Sequence, residues 1–189
     1  KIPLDSALGL ARSKGVSLLE LMATVYFKAL QTMYFATPQS RKKRDTIAIE
    51  IPVDMRQFYP SATNRNFTLY TLVGEDMRLG ERDFDTELER LKYQLRLGRD
   101  KGTMAQQIAR NVRWMQNRLI GAIPLRLKDI GARILFVVLG EKYISGIVTN
   151  LGSIDLPRGI FDHVRSFDLV QPPSPATKVN MAIHSYNEK

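Results

Sequence analysis

Apolar residues in the first part of the chain recur with the period of a helix. From Leu18 to Phe35 they fall three or four residues apart, which is typical of an amphipathic helix with a broad buried face. Ser17 and Glu20 have the spacing of a capping box, and Val16 is placed to pack on Leu21. The pattern therefore predicts a helix that begins after Ser17.

Farther along the chain, apolar and polar residues alternate, which is the period of a strand. Alternating apolar residues predict a strand over residues 46–53 and a second strand over residues 67–73. A three-and-four pattern returns over residues 85–98, which predicts a helix, and Thr103 is the expected N-cap of the next helix. The two strands are expected to share one sheet.

The apolar pattern after Pro124 is compatible with two kinds of secondary structure. Residues 127–139 fit a helix that stops at Gly140, although a buried strand is also compatible with so apolar a run. We favour the helix. The apolar run that follows is expected to be a strand that ends in the polar turn Thr149-Asn150-Leu151-Gly152.

Two further strands are predicted over residues 163–170 and 178–186, separated by the proline-rich residues 171–175. The predicted order is helix, two strands, helices and three strands. The fold class that follows is α/β (α+β), with a mixed β-sheet covered by helices in one domain over residues 1–189.

Composition narrows the functional classes. The net charge of +9 suits nucleic acid, anionic lipid headgroups or a phosphorylated small molecule such as coenzyme A, and the basic cluster of residues 41–44 is expected to be a solvated loop. With no cysteine and two histidines, no metal site is expected. No stretch reaches the roughly 18 apolar residues of a membrane span, so we expect a cytoplasmic protein. The start at Lys1, without Met, is expected to be a fragment boundary.

Several short motifs occur together in a characteristic order. They are Ala11-Arg12-Ser13-Lys14-Gly15-Val16-Ser17, Ile51-Pro52-Val53-Asp54-Met55-Arg56, Arg65-Asn66-Phe67 and Thr149-Asn150-Leu151-Gly152. In this order the chain resembles the C-terminal half of condensation-like acyltransferases, the group of alcohol acetyltransferases, wax ester synthases and peptide-synthetase condensation domains. The resemblance implies one half of a chloramphenicol acetyltransferase-like fold.

The resemblance also implies roles for particular residues. Thr149 stands where the family has the Ser of a Ser-Asn-Leu-Gly turn, so Thr149 and Asn150 would lie on the oxyanion side of the reacting centre. Arg56, Asn66 and Gly152 would border the substrates. The family's base belongs to a His-x-x-x-Asp-Gly motif, which this chain lacks. The expected partner is therefore an N-terminal half of the same protein that carries the base.

The implied activity is transfer of an acyl group from a thioester to an alcohol or an amine. The thioester would be acyl-CoA or an acyl carrier thioester, acting as a cosubstrate, and no tightly bound cofactor is expected. Such a transfer needs a base near the acceptor and a donor where the oxyanion develops, and Thr149 supplies only the donor. We therefore expect negligible transferase activity from this chain alone.

Other interpretations remain open. The spacing from His184 to Glu188 superficially matches His-x-x-x-Glu, although an imidazole on an alternating strand is more often packed than catalytic. A basic nucleic-acid-binding module is a second hypothesis, disfavoured because the aromatic residues lie within apolar patterns rather than among Lys and Arg. A noncatalytic interaction domain with the same fold is the third.

Overall fold

The computed structural model describes residues 2–38, 45–117, 121–135, 144–161, 163–172, 177 and 179–186. Six α-helices, two 3-10 helices (Met55–Gln57 and Met77–Leu79) and four strands lie in these ranges. In chain order the α-helices and strands are α1 (Leu4–Ser13), α2 (Leu18–Ala36), β1 (Thr46–Asp54), β2 (Thr68–Asp76), α3 (Phe84–Gly98), α4 (Lys101–Met115), α5 (Leu125–Leu135), β3 (Gly146–Ser153), α6 (Arg158–Phe161) and β4 (Met181–Ser185). Among the described residues, no helix is long and apolar enough to cross a membrane.

The four strands form one mixed sheet in the order β2-β1-β3-β4. Strands β1 and β2 are antiparallel, whereas β3 runs parallel to both β1 and β4. Strand β1 alternates as predicted, with Ile47, Ile49, Ile51 and Val53 buried on one face. Helices α2 and α3 pack on that face, so the predicted mixed sheet with helical cover is confirmed.

Helix α2 begins as the sequence predicts. The Ser17 hydroxyl accepts from the backbone N–H of Glu20 at 3.2 Å, and the Glu20 carboxylate accepts from the backbone N–H of Ser17 at 2.7 Å. Val16 and Leu21 belong to one buried cluster, as expected for the staple outside the box. Glu20 also accepts from Arg96 of α3 at 2.8 Å, which ties the start of α2 to its neighbouring helix.

The prediction for the start of α4 is wrong by three residues. Asp100, not Thr103, is the N-cap, and its carboxylate accepts from the backbone N–H groups of Gly102 and Thr103. An aspartate directly before the helix satisfies two free backbone donors, so the helix begins earlier. The predicted helix over residues 127–139 is observed as α5 from Leu125 to Leu135, and residues 136–139 and the proposed stop, Gly140, lie outside the described residues.

The prediction for residues 163–170 is also wrong, because their backbone is irregular. Side chains from β4 and from the residue that follows it hold this segment by hydrogen bonds, where a strand would be held by backbone pairing. Tyr186 Oη donates to the carbonyl oxygen of Val164 at 2.8 Å, and His184 Nε2 lies 3.0 Å from the carbonyl oxygen of Phe167. Its alternating sequence therefore reflects contact with β4 and not membership of the sheet.

Strand β4 is shorter than predicted, since it begins at Met181 rather than at residue 178. The side chain of Asn180 replaces a ladder partner at this point, because its Oδ1 accepts from the backbone N–H of Ile147 at 3.2 Å. Among the described residues, two strands rather than three follow the middle helices, and the N-terminal helix α1 was not predicted.

Candidate functional site

The five residues implied by the resemblance all lie at one end of the sheet. Thr149, Asn150 and Gly152 occupy the last part of β3, and Arg56 follows the end of β1, which is parallel to β3. Asn66 precedes β2, whose first residue pairs with the last residue of β1. Because carboxyl ends of parallel strands meet at the same edge, the topology brings these residues to a common edge.

The Thr149 turn differs from the one expected. Strand β3 does not end at Thr149 but continues to Ser153, with an irregularity in its pairing to β4 between Asn150 and Ser153. Asn150 Oδ1 accepts from the backbone N–H of Gly152 at 2.9 Å, and Gly152 has a φ of +70°. The exposed Asn150 therefore stabilises a local turn, which is the ordinary structural role of such a residue.

Thr149 itself is half-buried, and its hydroxyl is held by another side chain. Gln171 Nε2 donates to Thr149 Oγ1 at 2.6 Å. A hydroxyl has one proton and two lone pairs, so a hydroxyl that accepts one hydrogen bond can still donate its own proton. This arrangement fixes the oxygen in position while leaving a donor for a second oxygen atom.

Arg56 is committed to the loop between β1 and β2. Its guanidinium donates to the carbonyl oxygens of Thr63 at 3.0 Å and Arg65 at 2.9 Å, and it pairs with the Asp54 carboxylate at 3.2 Å. These contacts join both ends of the loop, so Arg56 orders the segment that contains the exposed residue Asn66. The structure therefore gives Arg56 the loop-fixing role that an arginine after a strand often has.

Thr149 lies on the face of the sheet opposite α2 and α3. We call this the open face, because its side chains are half-buried or exposed, with Tyr70 and Leu72 each 45% exposed. Alternation and strand register place on its central part Glu50, Pro52, Tyr70, Leu72, Ile147 and Thr149. An apolar surface with a fixed hydroxyl can line one wall of a substrate channel.

Glu50 is a residue of this face that the sequence analysis missed. Its strand neighbours are Leu72 on β2 and Ile147 on β3, and Thr149 lies two residues beyond Ile147. Burial raises the pKa of the Glu50 carboxyl. The signal in the sequence was a carboxylate in the middle of β1, on the side opposite four apolar residues. Gln171 had no comparable signal, because its contact with Thr149 spans 22 residues.

His184 contacts the irregular segment that precedes β4 in the chain. Since the carbonyl oxygen of Phe167 can only accept, the nearby Nε2 atom carries the proton. Nδ1 is buried and lacks a hydrogen-bond partner among the described residues, and the His184 side chain also lines a cavity along β4. Glu188, the other residue of the superficial motif, lies outside the described residues. These contacts agree with a packed histidine.

A cavity of about 360 Å³ runs along β4, away from the predicted residues. Its wall combines apolar side chains of α1 and α2, such as Leu4 and Met22, with residues 165–168 and 181–186. None of Thr149, Asn150, Gly152, Arg56 or Asn66 lines it. The cavity is also lined by polar side chains, among them Asp168 and His184, but we place the candidate site on the open face because Thr149 lies there with its hydroxyl held by Gln171.

The described residues contain no group of three or more His, Cys, Asp or Glu side chains that could hold a metal ion. Comparison of the chain with protein-family models, with curated proteins and with solved structures found no match.

Proposed function

We propose that this chain is the C-terminal part of an acyltransferase that moves an acyl group from a thioester to an alcohol or an amine. The observation that carries the proposal is the half-buried Thr149 hydroxyl, fixed by Gln171 at 2.6 Å on the open face. A positioned hydroxyl donor is what the oxyanion of such a transfer requires. The order of the sequence motifs is the second support.

The chain supplies one part of the required chemistry. In the proposed mechanism, Thr149 donates its proton in a hydrogen bond to the oxyanion that forms when the acceptor attacks the thioester carbonyl. When the oxyanion collapses, the C–S bond breaks and the thiolate leaves, taking the proton that the base removed from the acceptor. Gln171 holds the hydroxyl oxygen in place, and the apolar residues Ile147 and Leu72 border the path of the substrates. The base that removes the acceptor's proton is proposed to belong to an N-terminal half of the same protein, and the acyl donor is acyl-CoA or an acyl carrier thioester.

The test is a thiol-release assay with the protein encoded by the complete reading frame. Acyl-CoA donors of increasing chain length are offered with alcohol or amine acceptors. We expect Thr149→Ala to lower kcat by about 10²- to 10³-fold, because removal of one oxyanion donor typically has that effect. Thr149→Ser keeps the hydroxyl and should retain most of the activity.

Two results would contradict the proposal. One is the absence of thiol release with every donor and acceptor class, and the other is an unchanged kcat in Thr149→Ala. Asn150→Ala is the matched control, since Asn150 is exposed and bonds its own turn. It should affect kcat far less than Thr149→Ala.

A further inference from the structure

Helix α5 is an amphipathic helix whose apolar residues are exposed. Leu127, Ile130 and Ile134 are 58%, 55% and 60% exposed, and we call these three residues the α5 stripe. At 3.6 residues per turn they lie within about 60° of one another around the helix axis. A narrow apolar stripe on the outside of a helix indicates a surface that something else covers.

The helix has little support from the rest of the described chain. Among its described side chains only Lys128 is half-buried, where its Nζ donates to the carbonyl oxygen of Gly121 at 3.1 Å. Most of the stability of an amphipathic helix in a protein comes from the packing of its apolar face. An apolar surface against the α5 stripe would supply the missing stabilisation.

The charged side chains of α5 indicate the chemistry of the surface that covers the α5 stripe. Arg126 and Arg133 lie on one side of the α5 stripe, at about 70–90° from its centre, and the acidic Asp129 lies further round the same side, at about 130° from that centre. Both arginines are exposed. Cations beside an apolar stripe match a layer of acyl chains below anionic headgroups, because the arginines reach the headgroups while the stripe enters the acyl boundary.

A second copy of the chain fits less well. Two α5 stripes placed against each other would bring the flanking arginines of two basic molecules together, and each chain carries a net charge of +9. Three side chains also offer far less area than the roughly 1,200 Å² buried by a stable protein interface. A lipid surface requires no complementary shape and supplies the opposite charge.

We propose that α5 binds the surface of an anionic lipid membrane, lying in the plane of the headgroups through the α5 stripe with Arg126 and Arg133 on the phosphates. The proposal is independent of the acyltransferase function.

Vesicle co-sedimentation tests the proposal with the intact chain. The probes are vesicles of phosphatidylcholine alone and vesicles that also contain phosphatidylglycerol. We expect binding to the anionic vesicles that weakens as salt is raised, and much weaker binding to the neutral ones. Equal binding to both compositions, or binding to neither, would overturn the proposal.

Substitutions assign the binding to the helix. Ile130→Glu should lower the partition coefficient at least about tenfold, because it removes buried apolar area and adds an anion. Leu97→Glu is the matched control, since Leu97 is an exposed apolar residue at the end of α3 and should leave binding unchanged. Equal losses in the two variants would show that α5 has no special role.

Two charge-reversal variants provide an independent test of the role of α5. Arg126→Glu should weaken binding and flatten its salt dependence, whereas Arg12→Glu, an exposed arginine of α1, should do so much less. Analytical ultracentrifugation without lipid tests the alternative occupant. If the chain self-associates and Ile130→Glu abolishes that association, the α5 stripe is an interface between copies and the lipid proposal fails.

Discussion

Helices α3 and α5 have the same apolar spacing but opposite environments. Leu88, Leu91 and Leu95 of α3 stand three and four residues apart, as do Leu127, Ile130 and Ile134 of α5. The three α3 leucines are buried, whereas the three α5 residues are more than half exposed. A period in the sequence therefore predicts a helix and its apolar face, but it does not say whether this chain or something else covers that face.

The difference in exposure between α3 and α5 arises from the elements that each helix packs against. Helix α3 lies against the sheet and α2, and the buried Glu75 of β2 pairs with both Arg82 and Arg90 beside it. Arg96 of α3 also pairs with Glu20 of α2. Among the described residues, α5 has no comparable ion pair to the sheet. Polar contacts thus fix the position of α3 on the core in addition to its leucines.

Alanine substitutions at matched positions should separate the two helices most strongly. Leu91 is fully buried and Ile130 is 55% exposed, and each is the middle residue of its set. We expect Leu91→Ala to lower the free energy of unfolding by about 2–5 kcal/mol, through lost burial and the cavity left behind. Ile130→Ala should change it by less than about 0.5–1 kcal/mol, because an exposed site leaves no cavity. Urea unfolding followed by circular dichroism measures both.

If the two variants lost similar stability, α5 would be packed on the core in solution and the comparison would fail. Leu95→Ala is a second buried site that guards against an accidental result at Leu91, because Leu95 belongs to the same core.

Local signals predicted much of the fold. The capping box at Ser17 and Glu20 was recognisable because both of its hydrogen bonds join residues three apart. Alternation identified β1 for a similar reason, since its face is decided by neighbouring residues. Asp100 was missed because Thr103, also a good cap, lies nearby and the sequence alone does not show which of the two is used.

The wrong predictions and the site residues that were missed depend on contacts between residues far apart in the sequence. Residues 163–170 alternate like a strand, yet side chains of His184 and Tyr186 bind their carbonyl groups. Thr149 was identified through a resemblance, but Gln171, which fixes its hydroxyl, becomes visible only when the chain is folded. Glu50 is half-buried because of neighbours on two other strands.

Substitution of one glycine in the core and one glycine in α5 should have opposite effects. A Cβ at Gly146 in β3 would lie 1.8 Å from Tyr26 Oη, and Tyr26 is itself buried and bonded to the carbonyl oxygen of Val179. We expect Gly146→Ala to destabilise the fold by about 1–3 kcal/mol, the usual cost of overpacking. Gly131 in α5 has no atom within 4 Å of such a Cβ. Gly131→Ala should therefore be tolerated and should raise helicity, since alanine favours a helix by up to about 1 kcal/mol over glycine.

Thermal unfolding and far-ultraviolet circular dichroism measure these two effects. Tyr26→Phe combined with Gly146→Ala provides the control, because removal of the Tyr26 hydroxyl should relieve part of the clash. A Gly146→Ala variant as stable as the wild type would contradict the close approach of Tyr26 to β3.

The smallest expected effect concerns the ion pair that joins α2 to α3. Burial raises the pKa of Glu20, but the hydrogen bonds from Arg96 and Ser17 outweigh burial, so the net pKa lies below its ordinary value. A depressed pKa in the folded state stabilises the protein above the unfolded-state pKa, and this contribution is lost as the pH falls through the folded-state value.

Glu20→Gln should thus lower stability by about 1 kcal/mol at neutral pH, a typical net value for such hydrogen bonds, and the difference from wild type should shrink in acid. Asp129→Asn in α5 makes the same change of charge at an exposed site and corrects for net charge. Urea unfolding at a series of pH values measures the difference, and a constant Glu20→Gln penalty from neutral to acidic pH would show that the carboxylate charge does not join the two helices.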